Sequence, residues 1–229
     1  MDASAIAVVI AARDEADRIG ETVRALREAL PGAAIVVGDD GSADATAQVA
    51  SDAGAEVISL PDSPGKGGAA TLAAERALSH EPRVVLLCDA DLGASAQRLL
   101  PLVEAVQGGE ADLAVAVFAR KVGGGVGAAV GFARWAIRDL TGLELRAPIS
   151  GQRALRADVL DLVTPFAPGF GMEIGMTVDA ARAGYRVAEI ELDLEHRATG
   201  RSLRGFAHRF RQLRAFARVW WSRRRTARG

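Results

Sequence analysis

The chain of 229 residues is poor in several things: it has a single cysteine, a single tyrosine, only Lys66 and Lys121 as lysines, and no long apolar run. Cys88 has no second cysteine to pair with, which excludes a disulfide framework and points to a reducing compartment. A membrane-crossing helix needs about 20 predominantly apolar residues, and no segment reaches that length. Residues 1–9 lack the basic start and continuous apolar core of a secretion signal, so the expected location is cytoplasmic. Neither Ser nor Thr follows Lys66, so no complete phosphate-loop motif exists, which argues against a P-loop NTPase. No G-x-G-x-x-G follows the first apolar run, which argues against a dinucleotide oxidoreductase. The stretch AARDEADRIG likewise lacks the glycine-rich loop of nucleotidyltransferases.

What is present is a core. Hydrophobic residues make up 49% of the chain, ample for one large domain and too many for disorder. The formal net charge of -1 conceals a polarity: residues 197–229 carry eleven arginines and no acid, which leaves -12 on the remainder. A basic tail on an acidic body calls for an anionic partner.

Apolar runs alternate with segments of helical spacing through the first half. AIAVVIAA (5–12) reads as a strand buried on both faces, and EADRIGETVRALREAL (15–30) as a helix. AAIVVGDD (33–40), AEVISL (55–60), RVVLLCDAD (83–91) and ADLAVAVFAR (111–120) read as further strands with helices between them, and PDSPGKGG (61–68) as a loop. Strands alternating with helices predict an α/β fold with a mostly parallel sheet flanked by helices, in one domain. Residues 1–119 form its first half and 120–205 its second. In the second half, SGQRALRADVLDLV reads as a short strand or turn entering a helix, GFGMEIGMTVDAARAG as a helix and YRVAEIELDLEH as a last strand. Residues 206–229 belong to a basic amphipathic helix, with Phe206, Phe210, Leu213, Phe216 and Trp220 at spacings of three and four.

In an open α/β sheet, ligands bind at the carboxyl ends of the strands. Those ends carry Ala12, Arg13 and Glu15, then Asp39, Asp40 and Ser42, then Lys66, then Asp89 and Asp91. Asp14 and Asp44 are equally readable as helix N-caps. Asp89 and Asp91 have fewer bland explanations. Two carboxylates one residue apart repel unless a cation lies between them, and hard oxygen donors suit Mg²⁺ or Mn²⁺. Such an ion neutralises the charge that builds on a departing nucleoside diphosphate.

The segments VVIAARDEADRIGETV, VGDDGSADAT, GKGGA and LLCDADL, in that order, resemble the nucleotide-sugar half of family 2 glycosyltransferases of the GT-A fold. The later ISGQRALRADVL and YRVAEIELDLEHRATGRS resemble the acceptor half of the branch that includes dolichol-phosphate mannose synthases and polyprenyl-phosphate glycosyltransferases. The resemblance implies a metal-dependent transferase moving a sugar from a UDP- or GDP-linked donor, with inversion, to a polyprenyl phosphate or a small anionic or hydroxyl acceptor. Ala12, Arg13 and Glu15 would line the nucleotide pocket, and Asp39 would bond the base. Asp40 and Ser42 would shape the turn beside it, and Lys66 would lie near base or ribose. Asp89 would face the ribose or a metal-bound water, and Asp91 would hold the metal.

The mannose synthase branch often has a metal-binding glutamine two places after the second aspartate, whereas this chain has Gly93. The resemblance offers His196 as a replacement ligand, with Arg201 and Ser202 gripping the diphosphate. Glu173 occupies a position where relatives place an acid near the acceptor, which makes it the catalytic base if that acceptor is an alcohol. Arg120 and Arg153 would meet an anionic acceptor. The terminal helix, with Trp220 and Trp221, either lies on a membrane surface or docks on the acidic body, and no nucleic-acid module surrounds it. The alternatives are a retaining glycosyl-phosphoglycerate-type synthase and a non-catalytic nucleotide-binding domain.

Overall fold

The structure is a computed structural model and describes residues 5–119, 127–194 and 214–224. Seven strands form one sheet: β1 (Ile6–Ala12), β2 (Ala34–Asp39), β3 (Glu56–Ser59), β4 (Val84–Asp89), β5 (Leu113–Phe118), β6 (Arg153–Arg156) and β7 (Val187–Leu192). The helices are α1 (Ile19–Ala29), α2 (Thr46–Asp52), α3 (Lys66–Leu78), α4 (Leu100–Gln107), α5 (Gly127–Thr141), α6 (Ala157–Val163) and α7 (Met172–Arg182). A last helix, α8, spans 214–224 within the described residues.

The strand order is β3-β2-β1-β4-β6-β5-β7, with every neighbouring pair parallel except those made by β6. The unbroken apolar run of β1 follows from its position. Ile6, Val8, Ile10 and Ala12 enter the core on one side of the sheet, and Ala7 and Val9 enter the core on the other. A strand covered on both faces has no solvent side on which to place polar residues.

β6 runs antiparallel between β4 and β5, with Leu87 opposite Arg153 and Val84 opposite Arg156. It belongs to the second half of the sequence, so the two halves are interleaved in one sheet. Reversing its direction also carries the start of β6 to the edge where β4 ends. That edge bears the acids.

Two boundaries differ from the sequence expectation. Helix α1 begins at Ile19 rather than near Glu15, because residues 13–18 form a turn tied to the next loop. Helix α3 begins at Lys66, so GKGG is its first turn and not a loop. Gly67 is needed there because a Cβ would lie 2.5 Å from the carbonyl oxygen of Ala167.

Helix α8 packs on the body. Phe216 and Val219 are buried with Ala133, Ile137, Ile174 and Val178, the indole of Trp220 donates to Asp139 at 2.9 Å, and Arg223 donates to Asp179 at 2.7 Å. Within the described residues, α8 therefore buries its apolar stripe in the body and directs Trp220 and Arg223 at acids of the same chain. Among the described residues, no helix is long and apolar enough to cross a membrane.

Candidate active site

The parallel register sets the acids side by side. Ala12 pairs with Asp39 and Ala11 with Asp89, so the ends of β2 and β4 flank the end of β1. Ala12 itself is buried in the core, and its carbonyl accepts the amide of Asp40 at 2.9 Å.

The loops after β1 and β2 are stitched together. The amide of Asp14 donates to the Ser42 hydroxyl at 2.9 Å, and the Asp14 carboxylate accepts the amide of Ala43 at 2.8 Å. The amide of Glu15 donates to the Thr46 hydroxyl at 2.8 Å, and that of Ala16 to Asp44 at 3.2 Å. Asp14 thus joins the two loops, while Asp44 joins them and also accepts the amide of Thr46, the first residue of α2, at 3.0 Å, so the capping reading holds in part for Asp44. Hydrogen bonding from Thr46 holds the Asp44 carboxyl below its usual pKa. The buried Asp39 accepts the amide and hydroxyl of Ser42. The buried Asp40 accepts the amide of Gly65 at 2.7 Å, with Arg13 lying 3.6 Å away.

Lys66 crosses from the start of α3. Its Nζ is 3.0 Å from Asp89 Oδ1 and 2.9 Å from Glu173 Oε1, in the first turn of α7. Burial works to lower the Lys66 pKa, but the two carboxylates outweigh it and hold the value above that of an ordinary lysine. Lys66 therefore bridges two acids, whereas the resemblance assigned it to base or ribose.

Asp89 is held from both sides. Gln152 donates Nε2 to Asp89 Oδ2 at 2.8 Å, and Gln152 Oε1 accepts the amide of Asp89 at 3.2 Å. Both carboxylate oxygens already serve protein donors, which counts against Asp89 as a direct metal ligand. Asp91 differs. Among the described residues, its partly exposed carboxylate makes no hydrogen bond or ion pair. Its backbone is fixed instead: Arg18 donates to the carbonyl of Asp91 at 3.2 Å, and Thr22 donates to that of Ala90 at 2.8 Å.

A divalent cation fits this corner by donor chemistry, since Asp91 presents hard oxygens that have no partner among the described residues. Among the described residues, no three His, Cys, Asp or Glu side chains assemble as a metal set. His196, Arg120, Arg201 and Ser202 lie outside the described residues.

Arg153 does not face an acceptor. It is 0% exposed and donates to the carbonyls of Ser150 at 2.8 Å and Pro148 at 3.0 Å and to the Thr177 hydroxyl at 2.8 Å. Burial brings its pKa down to about 10, against the pull of Glu173 and Glu189. Its role is to tie the segment before β6 to α7. Burial likewise pushes the Cys88 thiol up and leaves it inert.

Sequence reasoning missed Gln152, Arg18 and Thr22. They lie inside the segments that carry the family resemblance, but nothing local singles them out, because their contacts are with residues 63 to 73 positions away. A cavity of about 590 Å³ lies at the opposite edge of the sheet, lined by Arg83, Gln107, Arg156 and Asp158, and contains none of these groups.

Comparison with known proteins matches residues 7–161 to the model of glycosyl transferase family 2. An undecaprenyl-phosphate mannosyltransferase of Micrococcus luteus is 30% identical over 213 residues, covering 86% of each chain. A glucosyl-3-phosphoglycerate synthase of Mycolicibacterium paratuberculosis is 35% identical over 222 residues, covering 84% of this chain and 65% of the relative. The structure of glucosyl-3-phosphoglycerate synthase from Mycobacterium tuberculosis with Mg²⁺ and UDP superposes with a TM-score of 0.75 at 27% identity, covering 95% of this chain and 78% of that one. The same enzyme with Mn²⁺, UDP and glucosyl-3-phosphoglycerate gives 0.71.

Proposed function

The chain belongs to glycosyl transferase family 2, and from that premise we propose that it transfers a sugar from a UDP- or GDP-linked donor to an anionic oxygen of a polyprenyl phosphate, with inversion. The observation that supports this reading is the carboxylate of Asp91 just after β4, which has no partner among the described residues, beside the hydrogen-bonded loops that follow β1 and β2. Asp39 bonds the base, Arg13 and Glu15 line the pocket, and Asp40 and Ser42 shape the turn beside it. Asp89, oriented by Lys66 and Gln152, faces the ribose. Asp91 and His196 hold Mg²⁺ or Mn²⁺, and Arg201 and Ser202 bind the diphosphate. When bound there, the ion neutralises charge on the departing diphosphate.

In the transfer, the bond from the anomeric carbon to the β-phosphate oxygen breaks and a bond to the acceptor oxygen forms on the opposite face. A phosphate oxygen is already anionic at neutral pH, so no proton needs removing. Glu173 supports this choice of acceptor, because its Oε1 is engaged by Lys66 at 2.9 Å. A hydroxyl acceptor would require Glu173 to take its proton. The likeness to glucosyl-3-phosphoglycerate synthases favours a second reading, retaining transfer to a small phosphorylated acceptor.

Thermal unfolding with UDP, GDP and their sugars, with and without Mn²⁺, tests the donor, since a ligand that binds only the folded state at about 100 times its Kd adds about 2.7 kcal/mol of stability. One nucleotide is expected to raise the Tm, and only with Mn²⁺. The protein is then offered polyprenyl phosphate and 3-phosphoglycerate. An inverted glycosyl polyprenyl phosphate supports the proposal, and a retained anomer on phosphoglycerate establishes the second reading. No metal-linked shift with any nucleotide overturns both.

A lipid-borne acceptor implies contact with a membrane surface, at the cytoplasmic face. The outer face formed by α5 and α8 has the composition for it. Trp135 is 40% exposed and Trp221 57%, the rings of Trp135 and Trp220 lie 5.1 Å apart, and Arg224 stands 4.8 Å over Trp220. Arg134 and Arg138 line the groove beside Trp135. Tryptophans with arginines suit the interface of an anionic bilayer. Arg218→Glu combined with Arg224→Glu is expected to weaken sedimentation with phosphatidylglycerol vesicles by about tenfold or more, each basic group being worth about 1 kcal/mol there. Equal binding by parent and variant would remove this face from the account.

A further inference from the structure

We infer that Gln152, seated by Gly151, is a positioning residue for donor binding: it fixes the carboxylate plane of Asp89. The inference rests on the reading of this edge as a nucleotide-sugar site. A carboxylate rotates about its last bond, and the flexible ammonium of Lys66 restrains one oxygen only. Gln152 supplies the second restraint and uses both ends of its amide. It donates to Oδ2 at 2.8 Å and accepts from the backbone amide of the same aspartate at 3.2 Å, closing a ring that admits one orientation.

The support beneath this amide is rigid. Gln152 is 2% exposed, lies next to the first residue of β6, and its carbonyl accepts the amide of Ala116 in β5 at 3.0 Å. A buried primary amide is costly unless its polar groups are satisfied. Among the described residues, both side-chain hydrogen bonds of Gln152 go to Asp89. An apolar residue of similar volume would fill the same space, so packing alone does not call for glutamine. Gly151 completes the seat. A Cβ there would lie 2.7 Å from both oxygens of Asp89, so any larger residue displaces the carboxylate. The atoms it would meet are the far end of a flexible side chain, which can move without disturbing the sheet.

The antiparallel course of β6 gives this contact its meaning. A segment of the acceptor-side half reaches across the sheet edge and orients an acid of the donor-side half. Next to it, Arg153 holds the segment 148–150 to Thr177, whose hydroxyl donates to the carbonyl of Glu173 at 2.9 Å. Consecutive residues thus hold the acid on the donor side and the helix carrying the acid on the acceptor side.

The test is calorimetric titration of the protein with UDP and with GDP in the presence of Mn²⁺, using Gln152→Met, Gly151→Ala, Asp89→Ala and the Asp89→Ala/Gln152→Met double variant. Gln152→Met keeps the volume and removes the hydrogen bonds, while Gly151→Ala keeps the hydrogen-bonding groups and moves the carboxylate. Each is expected to weaken nucleotide binding by about 10-fold to 100-fold, the range seen when a supporting partner of a site residue is removed. In the Asp89→Ala background, Gln152→Met is expected to cost nothing further, because the group it positions is gone. Parental affinity in Gly151→Ala or Gln152→Met overturns the inference, as does an undiminished effect of Gln152→Met in the Asp89→Ala background. A parent protein that binds neither nucleotide overturns the proposed function and this inference with it, so the two failures are distinct.

Discussion

Asp91→Ala is expected to lower the rate of sugar transfer by roughly 10²–10³-fold, the scale of losing one group that stabilises developing transition-state charge. The variant should also lose the Mn²⁺-dependent part of nucleotide affinity and keep the parental melting temperature. The last point follows from the geometry. Asp91's carboxylate makes no hydrogen bond or ion pair among the described residues, so removing it strands no buried donor. The turn is held instead by its carbonyl and that of Ala90, bonded to Arg18 and Thr22. An acid that contributes little to the fold suits the role of metal ligand proposed for Asp91. Unchanged turnover in a steady-state assay would remove Asp91 from the mechanism.

Lys66→Met is expected to damage both the fold and the site. It leaves Glu173, 5% exposed, and Asp89 without the cation between them. Breaking a buried pair by removing one partner costs about 3–5 kcal/mol, and because Lys66 is itself a third exposed the expectation here is about 1–3 kcal/mol. The nearby Arg153 cannot substitute, since its guanidinium already serves Ser150, Pro148 and Thr177. The sign of the pH dependence follows from the raised pKa of Lys66. Its stabilisation is fully present below the ordinary lysine value of 10.5 and declines as pH rises from there towards the folded-state value. Chemical denaturation should therefore show a stability gap between parent and variant that is constant from neutral pH to about 10 and narrows above it. A gap that widens at alkaline pH would contradict the bridge.

Much of the site was legible because it is local. Apolar runs announce strands covered on both faces, and the polar residues that end them fall at one sheet edge by the parallel rule alone. Asp39, Asp40, Asp89 and Asp91 were located in this way. Arg153 misled, because an arginine is read as exposed by its type. Here three buried hydrogen bonds satisfy it. GKGG misled in the other direction: glycines suggest a loop, yet they allow a helix to start against the backbone of Ala167.

By itself, the sequence determined the α/β class, the edge at which the polar strand ends gather and the acid proposed here to hold the ion. Each of these depends on the order of residues within one strand and its following turn. Only the tertiary structure decided that Lys66 joins Asp89 to Glu173, that Gln152 orients Asp89, and that the last helix binds its own body. Those contacts join segments 23 to 107 positions apart. The contacts of Gln152 and Lys66 exist because β6 enters the sheet in reverse and the turn leading into α7 packs against the start of α3. Which distant strands pair is set by the competition of whole surfaces for burial, and no local pattern of residues records its outcome.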